Sequence, residues 1–154
     1  MDRREPQGER KFVLPKLDKI AVSACMTTSV VVVKPRDSLR AAREIMAEHR
    51  INQLPVVKNG KVVGIVTDRD LRDAYPSSME IYRGKGIDEF ADSYTVEEVM
   101  TFNVISVAPS APLSEAIALF RRHRIGALPV VEKDKLVGIL TRSDILDRLL
   151  SGES

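Results

Sequence analysis

The stretch Gly64-Ile65-Val66-Thr67-Asp68-Arg69-Asp70-Leu71 returns 74 residues later as Gly138-Ile139-Leu140-Thr141-Arg142-Ser143-Asp144-Ile145. Around it, residues 26–71 and 100–145 match at that constant offset without a gap, and 20 of the 46 paired positions are identical. Met26-Thr27 matches Met100-Thr101, His49-Arg50-Ile51 matches His123-Arg124-Ile125, and Leu54-Pro55-Val56-Val57 matches Leu128-Pro129-Val130-Val131. The duplication makes the chain two small related units that pack as a pair. It also singles out polar residues kept in both copies, because a hydrophobic core does not require them.

Each copy reads β-α-β-β-α. In the first, Val30 to Val33 is a β-branched run ended by Lys34-Pro35, as expected of a buried strand. Asp37 or Ser38 can cap a helix whose apolar face is Leu39, Ala42, Ile45, Met46 and His49. Leu54 to Val57 and Val62 to Val66 form a hairpin across Asn59-Gly60, the dipeptide best suited to a tight turn. Thr67 to Arg72 begins another helix. In the second copy the strand is Val104 to Val107, and Pro112 suits the first position of a helix carrying Leu113, Ala116, Ile117 and Phe120 inward. A hairpin joins Leu128–Val131 to Leu136–Leu140, and a last helix from about Arg142 to Leu150 carries Ile145, Leu146, Leu149 and Leu150 on its apolar side. Pro55 and Pro129 stand near the front of their strands, where a missing amide donor is tolerable at an edge.

These patterns divide the chain into an N-terminal arm (1–19), a first repeat (20–73), a linker (74–95) and a second repeat (96–151). The linker holds all three tyrosines, Tyr75, Tyr82 and Tyr94, together with Phe90, and 22 residues is long for a connector. It reads as a partly helical crossover whose aromatics cover the joint between the units, or as a lid over a cleft.

Composition excludes several classes. Apolar residues make up 44% and charged residues 30%, which fits a globular chain of 154 residues. A net charge of +2 gives no long-range argument for nucleic acid or a membrane surface. The lone Cys25 forms no internal disulfide and has no catalytic base nearby in sequence, so it reads as a packed thiol. The charged start lacks a signal peptide's apolar run and no stretch approaches a membrane span, so the expected location is cytoplasmic.

The repeated Gly-Ile-x-Thr-x-x-Asp strings, with Met-Thr before each first strand and Leu-Pro-Val-Val before each hairpin, resemble a tandem pair of CBS domains, often called a Bateman module. The likeness spans residues 20–72 and 96–150 and is to the short stand-alone kind. It implies an α/β (α+β) fold in which two β-α-β-β-α repeats pack with pseudo-two-fold symmetry and leave two clefts between them. Such modules commonly dimerise, and the terminal helix has leucines for it. Many bind AMP, ADP, ATP or S-adenosylmethionine, and they sense rather than catalyse. No cofactor is required.

In that family the Thr and Asp of the motif commonly address a ribose, which points to Thr67 with Asp70 and Thr141 with Asp144. The chemistry is sensible in itself, since an ionised carboxylate accepts from two vicinal hydroxyls and a threonine hydroxyl donates or accepts. The same residues also suit a helix cap and first turn, and the two roles coexist. By the same analogy adenine lies near Val30-Val31 and Val104-Ile105. Phosphate candidates are Arg50, Arg69, Arg124 and Arg142, because guanidinium forks onto phosphate oxygens. Some nucleotide-binding relatives have a basic residue where this chain has Asn52-Gln53 and Gly126-Ala127, so the copies differ and one functional site is expected over two equal ones.

His49 and His123 occupy equivalent positions without the further ligands a metal would need, so no metal site is expected. No general acid–base constellation emerges, and an enzyme is not expected. The expectation is a regulatory sensor with an unidentified downstream protein partner. Its rivals are a ligand-free structural or interaction module, and a nucleic-acid-associated regulator using Arg121-Arg122-His123-Arg124.

Overall fold

The computed structural model describes residues 16–75 and 86–151. The arm before Lys16, and Tyr82 with Gly84-Lys85 of the linker, lie outside the described residues. The first repeat contributes α1 (Leu39–His49), β1 (Gln53–Lys58), β2 (Lys61–Thr67) and α2 (Asp68–Ala74). After the linker come α3 (Ile87–Ser93) and α4 (Val96–Val99), then α5 (Leu113–His123), β3 (Ala127–Glu132), β4 (Lys135–Thr141) and α6 (Arg142–Leu150). Two 3₁₀ turns, Leu17–Lys19 and Val22–Ala24, precede α1.

Each hairpin is antiparallel with the same register, Pro55 opposite Ile65 and Pro129 opposite Ile139, and each has an irregularity at Val56/Val57 or Val130/Val131. The first hairpin turns through Asn59 and Gly60, both at positive φ. The second reaches the same geometry with Lys133 and Asp134, at φ 50° and 65°. The tips meet, with Lys135 Nζ donating to Asn59 O at 3.0 Å and Leu136 N donating to Gly60 O at 3.2 Å.

The expected strands Val30–Val33 and Val104–Val107 are not regular strands. Each makes one parallel bridge, Val33 to Val56 and Val107 to Val130. Proline is the reason. Val33 N donates to Pro55 O and Val57 N to Val33 O, so the next rung would need an amide hydrogen on Pro55 to meet Val31 O. Pro129 blocks the equivalent rung to Ile105. β1 and β3 are edges of two-stranded sheets, each with one isolated bridge beyond, and the amide hydrogen missing at Pro55 and Pro129 falls on that edge. The segments 30–31 and 104–105 leave the sheet as a result.

The repeats exchange their leading segments. Thr27 and Ile139 trade main-chain hydrogen bonds at 2.9 Å in both directions, and Thr101 and Ile65 do so at 2.9 and 3.0 Å. Val22 N also donates to Ala111 O, while Val96 N donates to Asp37 O. Val22 therefore belongs to the core of Leu113, Phe120, Leu128, Val130, Leu140 and Ile145. Val96 and Met100 complete the core of Leu39, Met46, Leu54, Val56, Val66 and Leu71. The repeats 20–73 and 96–151 are units of sequence; in space each core borrows from the other.

Helix ends follow the sequence closely. Ser38 is the α1 cap, its Oγ accepting from Ala41 N at 3.0 Å. Pro112 stands one position earlier than expected, as the cap of α5. Leu39, Ala42 and Met46 are buried as read, but His49 is exposed at the helix end. On α6 only Ile145 is buried, and Leu146, Leu149 and Leu150 are exposed.

The described linker aromatics, Tyr75, Phe90 and Tyr94, pack on the first unit, not over the joint. Phe90 sits 5.6 Å from Tyr75 and 4.5 Å from Tyr94 between ring centroids, and the Arg43 guanidinium lies 5.5 Å from the Tyr75 ring centre. Arg40 holds α3 to α1 through Asp92 at 2.9 Å. None of the described linker aromatics lines the two clefts described next.

Candidate functional site

Two of the clefts between the repeats carry the candidate residues, and each is built from both repeats. The larger, about 740 Å³, is lined by Thr27 and Ser29–Val31, by Arg50–Gln53, and from the second repeat by Gly126, Ile139 and Thr141–Ser143. The smaller, about 330 Å³, is lined by Thr101 and Asn103–Ile105, by His123–Ala127, and from the first repeat by Gln53, Ile65, Thr67 and Asp70. Gln53 and Gly126 line both, and an ideal Cβ on Gly126 would stand 3.2 Å from Gln53 Oε1. These two residues form the partition.

The Thr-x-x-Asp motifs are reciprocal helix caps. Thr67 Oγ1 accepts from Asp70 N at 3.0 Å, and Asp70 Oδ2 accepts from Thr67 N at 2.9 Å. In the second copy the distances are 3.2 and 2.9 Å for Thr141 and Asp144. Each box satisfies one amide at the helix start and one at the cap, and places the carboxylate near the positive end of the helix dipole. One carboxylate oxygen remains in each case. Asp144 Oδ1 accepts from Thr27 Oγ1 at 3.3 Å, whereas Asp70 Oδ1 has no partner among the described residues.

The other sequence candidates divide between the clefts. Val30, Val31, Arg50, Thr141 and Arg142 line the larger, while Thr67, Asp70, Val104, Ile105 and Arg124 line the smaller. Asp144 lies behind Thr27 and Thr141 without lining the larger cleft itself. Arg69 lines neither cleft; it is exposed on α2 and lies 4.0 Å from Asp73. Sequence reading left out Thr27, Ser29, Ile51, Ile139, Ser143 and His123 as lining residues. The repeated Met-Thr pair was the available signal for Thr27.

Arg50 and Arg124 are the C-caps of α1 and α5, at φ 54° and 51°. Their amides donate to Met46 O and Phe120 O, which closes each helix in the left-handed conformation that usually takes glycine. Both repeats place an arginine there and direct the chain from it into a cleft wall. Neither Val31 nor Ile105 has a main-chain hydrogen bond among the described residues, in keeping with the proline block. Cys25 is half-buried, and its thiol pKa is raised from 9.0 by burial, with Arg148 opposing and Asp144 adding to the rise. No cluster that would hold a metal ion occurs among the described residues.

Paired repeats, exchanged leading segments and clefts between the repeats define a duplicated two-repeat module. The chain belongs to the CBS domain family, whose model matches residues 22–77 and 96–151. It is 33% identical over 135 residues to the CBS domain-containing protein YhcV of Bacillus subtilis, covering 87% of this chain and 89% of that protein. Among solved structures it is similar to CBSX2 in complex with AMP, with 29% identity, a TM-score of 0.71, and coverage of 87% of this chain and 99% of that one. The CBS domain pair of protein MJ0100, in complex with 5-methylthioadenosine and S-adenosyl-L-methionine, is 29% identical with a TM-score of 0.69, covering 88% and 98%. Among the described residues no helix is long and apolar enough to cross a membrane.

Proposed function

We propose that the chain is a cytoplasmic, homodimeric regulatory sensor, binding an adenosine-containing ligand (AMP, ADP, ATP or S-adenosylmethionine) in the larger inter-repeat cleft. The observation that carries this reading is the wall itself. Residues 29–31, released from the sheet by Pro55, face Thr141 of the other repeat across about 740 Å³, a volume suited to a nucleotide. Val30 and Val31 offer an apolar surface to a base, and Val31 adds main-chain groups without a hydrogen bond among the described residues. A ribose hydroxyl reaches Asp144 Oδ1 by taking the place of the Thr27 hydroxyl, whose 3.3 Å bond is long. Arg50 and Arg142 supply guanidinium groups to a phosphate.

Fold relatives solved with AMP and with S-adenosylmethionine support the ligand class. Because the cleft takes one wall from each repeat, a ligand there favours one relative orientation of the units, and that population shift is the signal read by a partner.

Isothermal titration with the four ligands tests this. The expected result is saturable binding to at least one, weakened about tenfold or more in Asp144→Asn and nearly unchanged in Asp70→Asn. Asparagine keeps an oxygen for the cap, so the substitution removes charge without removing the helix start. Absence of heat with every ligand, in protein free of carried-over nucleotide, would instead favour a ligand-free interaction module. The reciprocal capping boxes are the feature such a module would also need.

A further inference from the structure

A further cavity opens beside the meeting hairpin tips, apart from the two clefts described above. It holds about 360 Å³ and is lined by Lys61 and Val62 of the first repeat and by Val104, Ser106, Val131 and Asp134 of the second. The pseudo-symmetry breaks at its polar residues. At the offset of 74, Asp134 corresponds to Gly60 and Ser106 to Val32, so the related position has neither carboxylate nor hydroxyl. The two lysines differ as well. Lys135 Nζ is held by Asn59 O at 3.0 Å, whereas the equivalent bond from Lys61 to Lys133 O is not made.

Among the described residues the side chains of Lys61, Ser106 and Asp134 make no hydrogen bond, and no ion pair joins Lys61 to Asp134. Asp134 also keeps a Cβ at φ 65°, where the sister turn has glycine. Backbone strain retained at a cavity marks a side chain that serves more than the turn. A cation, an anion and a hydroxyl around one apolar floor select ligands by charge. A phosphate is repelled by Asp134 and a simple amine by Lys61, while a molecule carrying both signs is attracted at each end. Val62, Val104 and Val131 leave an aliphatic surface between those ends, and about 360 Å³ is at the small end for a ligand pocket.

We propose that this cavity binds a small aliphatic α-amino acid, with its carboxylate on Lys61 and Ser106, its ammonium on Asp134 and its side chain on the valines. The site stands independently of the adenosine reading. Of its residues only Val104 lines the smaller cleft, and none lines the larger. Through Val104 the cavity shares a wall with the smaller cleft, so an amino acid here bears on the segment that Pro129 keeps out of the sheet.

Amide NMR of the full chain, titrated with L-leucine, isocaproate or isopentylamine and no nucleotide, tests the proposal. L-Leucine is expected to shift the amides of Lys61, Ser106 and Asp134 saturably, with half-saturation at about 1 mM for so small a ligand on an open site. Isocaproate lacks the ammonium and isopentylamine the carboxylate, and each is expected to bind about tenfold or more weakly. Asp134→Asn removes the charge and keeps a residue that tolerates left-handed backbone. Lys61→Met keeps the apolar stem without the ammonium. Each variant is expected to weaken leucine about fivefold or more while the rest of the amide spectrum stays in place. Shifts that fail to saturate by about 20 mM would overturn the proposal. Equal binding of leucine and isocaproate, or leucine binding that survives both substitutions, would overturn it too. So would leucine shifts centred on Thr67 or Thr141, which would move the ligand to the clefts.

Discussion

Thr27 Oγ1 donates to Asp144 Oδ1 at 3.3 Å, joining residues 117 positions apart. The other oxygen of that carboxylate caps α6 through Thr141 N. One side chain thus holds both the start of the last helix and the leading segment of the first repeat. At the smaller cleft Asp70 makes the cap, with no bond to Thr101 among the described residues. The pseudo-symmetry breaks where the two clefts differ in size.

Thr27→Val removes this bond and leaves the hydroxyl's volume filled. The bond is exposed and long, so the loss is expected at the low end for a hydrogen bond, about 0.5 kcal/mol. Thr101→Val is expected to change stability less. Urea unfolding of both variants measures the difference, and equal effects would mean the cross-repeat bond contributes nothing.

The capping boxes predict a larger and symmetric effect. Thr67→Ala and Thr141→Ala each remove an acceptor for an amide at N3, a change that costs about 1 kcal/mol. Chemical denaturation should place both near that value. Thr→Ser should recover most of it in each repeat, because serine retains the capping hydroxyl.

The duplication made the architecture legible before any coordinates, since a constant offset and two alternations of apolar pattern specify paired β-α-β-β-α units. The capping role of Thr67 and Thr141 was equally legible, because a Thr followed three positions later by an acid is a local signal. What sequence did not disclose depends on contacts between distant segments. Val30–Val33 looks like a strand in isolation, yet its second rung needs an amide that Pro55 lacks. Leu146, Leu149 and Leu150 fit an apolar helix side, but among the described residues only Ile145 of that side has a core to enter. Thr27 reads as the residue before a strand, and only the exchange of leading segments carries it to Asp144.

That exchange imposes a packing constraint on two glycines. An ideal Cβ on Gly64 would lie 2.4 Å from Met100 Sδ, and one on Gly138 would lie 2.6 Å from Met26 Sδ and 3.1 Å from the Thr27 carbonyl oxygen. Met100 can rotate its flexible end, whereas the backbone at Thr27 cannot yield as easily. Gly138→Ala should therefore destabilise more than Gly64→Ala, with overpacking of about 1–3 kcal/mol at the former. Adding Met26→Ala to Gly138→Ala should recover part of that loss, which a double-mutant cycle by thermal or urea unfolding would measure.

The hairpin tips offer a stabilising change. Asp134 holds φ 65° where the first hairpin has Gly60 at 78°. Left-handed backbone is unfavourable for a residue with a Cβ, though less so for Asp. Asp134→Gly should raise the unfolding free energy by about 0.5–1 kcal/mol. The reverse substitution, Gly60→Asp, should lower it, and also crowd Lys135, whose Nζ stands 2.9 Å from the ideal Cβ position.

The left-handed arginines separate a sensor from a structural module. Arg50 caps α1 at φ 54°, where glycine would sit with less strain, and it lines the larger cleft. If its side chain served only the fold, Arg50→Gly would be favourable or neutral in every assay. If the guanidinium meets a phosphate, the same change should raise stability by about 0.5–1 kcal/mol and weaken AMP about tenfold or more. Methylthioadenosine, which has no phosphate, should bind the variant as it binds the unmodified chain. Paired unfolding and titration experiments read both quantities from one protein. Stability and AMP affinity moving in opposite directions, with methylthioadenosine unmoved, would place the phosphate at Arg50. Stability gained with AMP affinity unchanged would remove Arg50 from the site and leave Arg142 as the cation of the larger cleft to test.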